Sequence, residues 1–147
     1  RSGSFQEASG ATACMQCPAG SYSATDGAAE CSNCLHRVSC KPGSTSCGIC
    51  DVGFYRVGTQ SDATPEACTP CNQGGYQCPI DTTLETIRLL PGRWRVSNFS
   101  RLVYVCKGND AKDRCLGGSR AGVDGEGYCG PMYTGPECNL CRDGLYR

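Results

Sequence analysis

Hydrophobic positions are sparse over the first half of the chain and gather in only one stretch. Residues 1 to about 78 are dense in cysteine and turn formers and hold few hydrophobic runs. That pattern predicts short two-stranded ribbons bounded by turns such as Thr25-Asp26-Gly27 and Lys41-Pro42-Gly43. Residues 79 to 105 differ sharply: they contain no cysteine and are richer in β-formers. Thr82 to Leu90 and Arg93 to Val96 read as strands separated by a Pro91-Gly92 turn, and Leu102 to Val105 as a third running into Cys106. The spacing of Leu84, Ile87 and Leu90 by three keeps a helix open for the first of these. From Cys106 the chain returns to a loop-rich, glycine-rich style, with Cys106 and Cys115 closing one loop.

A second pattern overlies the first. Five times the chain places glycine, any residue, then an aromatic, at Gly3-Ser4-Phe5, Gly20-Ser21-Tyr22, Gly53-Phe54-Tyr55, Gly74-Gly75-Tyr76 and Gly144-Leu145-Tyr146. Cys17, Cys50, Cys71 and Cys141 stand three residues before the last four of these glycines. The first two copies match at an offset of 17, with Cys14 and Cys17 falling on Cys31 and Cys34, and Gly10 and Ala11 on Gly27 and Ala28. A fixed period implies small units stacked in a row.

Composition sharpens this. Fifteen cysteines in 147 residues is the density of a secreted disulfide scaffold. With 20 glycines, 8 prolines and 7% aromatic residues there is little material for one large apolar core. Units this small require crosslinks to stay folded. The charge balances at 14 basic and 14 acidic residues, so no uniform field points to nucleic acid or anionic lipid. A mild basic cluster gathers Arg88, Arg93, Arg95 and Arg101. No apolar run approaches membrane-spanning length.

If each copy joins the cysteine before its Gly-x-aromatic to the cysteine opening the next Cys-x2-Cys, Cys17 pairs with Cys31 and Cys50 with Cys68. Under the same rule Cys14 needs a partner upstream of Arg1, and Cys141 one beyond Arg147. Thirteen cysteines are then left, an odd number, so one further thiol is free, bonded to another chain, or paired out of pattern. Pairing among Cys34, Cys40, Cys47, Cys71 and Cys78 stays open.

Several other chemistries compete for these residues. Cys-x2-Cys pairs start at Cys14, Cys31, Cys47, Cys68 and Cys138, and two such pairs can hold tetrahedral zinc. Against zinc, a knuckle has no use for the repeated glycine, and His36 is the only histidine. A thioredoxin-like redox role lacks a surrounding βαβ pattern. One histidine and scattered acids supply no general base, so an enzyme is not expected. Asp124 and Glu126 in a glycine-rich loop offer too few oxygens for calcium. Neither metal nor cofactor is expected. Asn98-Phe99-Ser100 is an N-glycosylation acceptor between predicted strands. Trp94, flanked by Arg93 and Arg95, reads as the anchor of the small β core, with the arginine stems on its faces. The sharper reading makes Trp94, Arg93 and Arg95 a protein-binding hot spot.

Cys14-Met15-Gln16-Cys17-Pro18-Ala19-Gly20-Ser21-Tyr22-Ser23, followed by Gly27 and Cys31-Ser32-Asn33-Cys34, resembles the cysteine-rich repeat of ephrin-receptor ectodomains. It is also similar to the modules of tumour-necrosis-factor receptors. Cys129 to Cys138, with Tyr133 and Gly135 midway, resembles the closing loop of an EGF-like unit, which pairs those two cysteines. The second half resembles a segment that follows such repeats in very large surface proteins of unicellular eukaryotes. There Leu90-Pro91-Gly92-Arg93-Trp94-Arg95, Val103 to Cys106, Cys115 to Gly118 and Tyr128 to Tyr146 have counterparts. One departure is that Cys34, Cys40 and Cys47 stand where the receptor-type module carries four cysteines. The resemblance implies an extracellular spacing or binding module with no catalytic residues.

The expected fold is therefore a string of small disulfide-rich modules: elongated, mostly loops and short antiparallel β ribbons, in tandem repeat. Two 17-residue repeats occupy 1–34, further cysteine-rich repeats 35–78, a cysteine-free β segment 79–105, an EGF-like module 106–141, and the start of another repeat 142–147. The expected function is structural or adhesive, as a slice of a larger surface glycoprotein assembled into a fibril or filament. Its partners would be other copies of itself or neighbouring repeats, with an N-linked glycan at Asn98 and neither nucleic acid nor membrane contact. A ligand-binding receptor ectodomain and a zinc-binding intracellular protein are the alternatives.

Overall fold

Strands of two or three residues are all that this density of glycine and cysteine permits, and they are what forms. A computed structural model describes residues 1–6, 13–58, 63–71 and 74–144. The matches of Gly10 and Ala11, and the copy at Leu145 and Tyr146 that would open another repeat, lie outside the described residues. The fold is small, disulfide-rich and loop-rich, with short antiparallel strand pairs, one α-helical turn and six cystines among the described residues. It divides into two compact units. The first comprises Arg1–Pro70 with Pro79–Asp81, the second Cys71–Cys78 with Thr82–Arg147.

In the first unit, three strand pairs follow one another at a constant offset of 17: Ser4–Phe5 with Met15–Gln16, Ser21–Tyr22 with Ser32–Asn33, and Val38–Ser39 with Ile49–Cys50. Their registers match, Ser4 facing Gln16, Ser21 facing Asn33 and Val38 facing Cys50. The residue opening each first strand is left-handed: Gly3 at φ 77°, Gly20 at φ 80° and Arg37 at φ 73°. Each opening carbonyl takes an N–H from just beyond the returning strand, at Cys17, Cys34 and Asp51. Successive pairs are also joined to each other. The Gly3 N–H donates to Ser23 O at 2.8 Å, and the Gly20 N–H to Cys40 O at 3.1 Å.

The third pair was hidden in the sequence because arginine holds the glycine position and Ser39 the aromatic one. A fourth pair, Phe54–Arg56 with Thr69–Pro70, departs from the 17-residue spacing. The core of this unit is half sulfur: Val38, Cys50, Ala63 and Cys68 are buried together, with Cys34, Cys47 and Phe54 packed against them.

The second unit contains Tyr76–Gln77 paired with Arg88–Leu89, Arg93–Trp94 with Tyr104–Val105, and Tyr133–Thr134 with Leu140–Cys141. Ala111–Arg114 is a single helical turn, and tight turns shape Val123–Tyr128 and Pro136–Cys138. The strand expected from Thr82 to Leu90 is broken into Thr82–Thr83 and Arg88–Leu89. Between them the chain turns, with Thr83 N–H on Thr86 Oγ1 at 2.9 Å and Ile87 N–H on Thr83 O at 3.1 Å. The three-residue spacing of Leu84 and Ile87 thus buries both side chains from a turn. Among the described residues, no helix is long and apolar enough to cross a membrane.

Candidate functional site

The disulfide framework is the first element of any site here. Cys17 is bonded to Cys31, Cys50 to Cys68, Cys106 to Cys115 and Cys129 to Cys138. The cysteines whose pairing the sequence left open form Cys34–Cys47 and Cys71–Cys78. Cys14, Cys40 and Cys141 carry free thiols, exposed, buried and half-buried respectively.

Cys40 is the out-of-pattern thiol. Its Sγ lies 3.5 Å from Cys34 Sγ and donates to the Ser21 carbonyl at 3.0 Å. The Sγ atoms of Cys34, Cys40 and Cys47 all lie within 4.8 Å of one another. They form a triangle, whereas displacement at a disulfide needs the attacking and leaving sulfurs in line. The resting geometry therefore sets a buried thiol beside a disulfide but off the line of attack. Among the described residues, this is the one group of three or more metal-ligating side chains. Two of its sulfurs are bonded to each other and are not available as thiolates.

Trp94 is the core anchor that the sequence suggested, but the Arg95 guanidinium lies elsewhere than on its face. Trp94 is buried, its Nε1–H donating to Gly125 O at 3.0 Å and its ring lying 5.8 Å from that of Tyr104. Gly125 is required there, since a Cβ would stand 2.4 Å from Arg95 O and 2.8 Å from the indole. Arg95 is 0% exposed, and its guanidinium lies over Tyr128, 5.7 Å from the ring centroid, rather than over Trp94. Its Nε donates to Tyr128 Oη at 2.7 Å and its Nη1 to Leu84 O at 2.9 Å, with longer contacts to the carbonyls of Glu85, Ile87 and Ser100. The carbonyls of Leu84, Glu85 and Ile87 come from the segment where the expected strand is broken. Trp94 and Arg95 are thus core residues, which corrects the hot-spot expectation for both; of the three, only Arg93 reaches the surface.

A second buried arginine escaped the sequence reading altogether. Arg114 is 5% exposed, pairs with Asp110 at 3.1 Å, and donates to the carbonyls of Lys107, Glu137 and Cys138 and to Asn139 Oδ1. Together Arg95 and Arg114 do for this unit what apolar side chains do in a larger domain, tying loops through backbone carbonyls.

The remaining candidates are peripheral. Asn98 is half-buried within a turn in which the Ser100 N–H meets Ser97 O at 3.2 Å, and Phe99 beside it is exposed. Glu126 accepts a hydrogen bond from Thr134, and Asp124 sits exposed in the left-handed region at φ 47°. His36 is exposed, its ring edge-on to Phe54 at 5.5 Å. A cavity of about 190 Å³ opens on the second unit, lined by Tyr76, Arg93, Arg101, Leu102, Val103 and Val105.

No protein-family model matches this chain, and no curated protein matches it. The class defined by fold and framework is that of small disulfide-rich modules, and six cystines fit an extracellular, secreted-type setting.

Proposed function

We propose that the chain is a structural or adhesive module of a larger extracellular glycoprotein, acting through assembly with neighbouring repeats or other copies of itself. The observation that carries this reading is the succession of three strand pairs at an offset of 17, joined by backbone hydrogen bonds from Gly3 to Ser23 and from Gly20 to Cys40. The donors that the first and second pairs leave at Gly3 and Gly20 are met by the pair that follows, as in a quasi-one-dimensional stack. Head-to-tail contacts of that kind between copies build fibres when the rotation between them does not close a ring. The resemblance to receptor-ectodomain repeats supports the same compartment, and Asn98 beside exposed Phe99 suits a glycan. The proposed role is non-catalytic.

The test is electron microscopy of the native, non-reduced protein, paired with mass mapping of its crosslinked peptides. Ordered assemblies, with Cys17–Cys31 and Cys50–Cys68 intact and sugar mass on the Asn98 peptide, are expected. Isolated monomers at every concentration would sink the assembly reading.

A further inference from the structure

Among the described residues, five of the ten large apolar side chains exposed in the second unit come from one segment. Val96, Phe99, Leu102, Tyr104 and Val105 fall within ten residues, and each is between 43% and 68% exposed. Contiguous apolar surface with a polar rim marks an interaction face, whereas single exposed residues do not. The charge of this segment is equally one-sided. Residues 86–109 contain Arg88, Arg93, Arg95, Arg101 and Lys107 and no aspartate or glutamate, in a chain whose charges balance overall. With Arg95 buried, four cations remain on or near the surface.

The cavity lined by Arg93, Arg101, Leu102 and Val105 lies where these two properties meet. Arg93 is held rather than loose there: its Nη2 donates to Gly74 O at 2.9 Å. A Cβ on Gly75 would stand 2.9 Å from the Arg93 Nε, so the bare glycine makes room for the side chain to lie here. A guanidinium fixed in advance costs less entropy on binding and presents a planar fork suited to a carboxylate.

We propose that this face is a docking groove for an extended acidic segment of a partner protein. A carboxylate pairs with Arg93 and Arg101, while an adjacent aliphatic or aromatic side chain seats on Leu102 and Val105. The apolar lining favours a protein segment over a sulfated glycan, which would engage the cations and leave Leu102 and Val105 unused. The proposal rests on the extracellular-module reading only for where the partner is met, not on self-assembly.

The test pans a displayed random-peptide library against the folded, non-reduced protein, with soluble heparin as a second probe. Enriched peptides are expected to combine Asp or Glu with Val, Ile, Leu, Phe or Tyr. Capture should fall by about tenfold or more in the Arg93→Gln/Arg101→Gln double variant and in Leu102→Asp. Unchanged near-ultraviolet circular dichroism and an unchanged thiol count would show that both variants keep the fold. The proposal is overturned by absent enrichment, by acid-free peptides, or by capture that the surface variants leave intact. Heparin binding that Arg93→Gln/Arg101→Gln abolishes and Leu102→Asp does not, without peptide enrichment, would assign the face to glycan instead. Failure here leaves the assembly test standing, because microscopy reads a property that does not depend on this groove.

Discussion

A guanidinium that is 0% exposed and has no carboxylate partner among the described residues is an unusual centre for a small domain. Arg95 is tolerated because its N–H groups meet Tyr128 Oη and the carbonyls of Leu84, Glu85, Ile87 and Ser100. Replacing it with leucine leaves a buried phenol and several carbonyls without their donor, at about 1–3 kcal/mol for each group that cannot be resolvated. Arg95→Leu is therefore expected to destabilise by about 3 kcal/mol or more, measured by denaturant titration of Trp94 fluorescence under non-reducing conditions. A loss below about 1 kcal/mol would show that the carbonyls find other donors. Cysteine chemistry is graded by position in the same way. Cys14 is exposed and Cys40 is 2% exposed. Alkylation of the native protein should label Cys14 at once and Cys40 only with denaturation, as read by peptide mass. Rapid labelling of Cys40 would mean that the sulfur triangle opens readily.

At the scale of the element, the strand pair is defined by its left-handed opening residue. Two of the three pairs in the 17-residue series use glycine, and the third uses Arg37 at φ 73°. An L-residue there carries about 1–2 kcal/mol of strain. The Arg37 guanidinium lies 5.8 Å from the Phe54 ring centroid, a contact worth roughly 0.5–1 kcal/mol at an accessible site. Glycine would relieve the strain, lose that contact, and add about 0.5–1 kcal/mol of unfolded-chain entropy. Arg37→Gly is accordingly expected to fall within about 1 kcal/mol of wild type, and Arg37→Val to cost about 1–2 kcal/mol, because a β-branched residue resists positive φ. Equal stability of the two variants, measured by thermal unfolding, would remove the turn from the account. This element also shows where residue identity misleads: the structural demand at position 37 is a dihedral angle, and arginine meets it without looking like glycine.

Across the whole molecule, crosslinks take the place of a large core. Among the described residues, the first unit gathers Val38, Cys50, Ala63 and Cys68 as a buried apolar cluster, and two of these four are cystine halves. Opening Cys17–Cys31, with a sequence separation of 14, should cost about 3 kcal/mol in the chain-entropy description. The Cys17→Ser/Cys31→Ser double variant is expected to lower the denaturation midpoint accordingly. A loss under about 1 kcal/mol would mean that the interstrand hydrogen bonds from Gly3 and Gly20 suffice on their own. Reduction of all six cystines should abolish cooperative unfolding, seen as a sloping rather than sigmoidal transition.

What the sequence determined alone was local. Cysteine density implied a loop-rich, crosslinked fold, and repeated spacing implied a short two-stranded ribbon in each of the first two units. Cys17–Cys31 and Cys50–Cys68 followed from one motif rule, the cysteine before a Gly-x-aromatic joining the one that opens the next Cys-x2-Cys. Arg93 was named from sequence, but its groove was not. Tertiary structure decided whatever depends on long-range partners. The Cys34–Cys47 pair with Cys40 left over turns on which of three neighbouring sulfurs face each other. The break between Thr83 and Arg88 turns on Arg95 drawing the carbonyls of Leu84, Glu85 and Ile87 onto its guanidinium. The burial of Arg95 against Tyr128, 33 residues away, and of Arg114 against Asn139, 25 residues away, leaves no periodic trace in the chain. An arginine bound by backbone carbonyls asks nothing of the side chains that supply them, so composition and spacing cannot announce it.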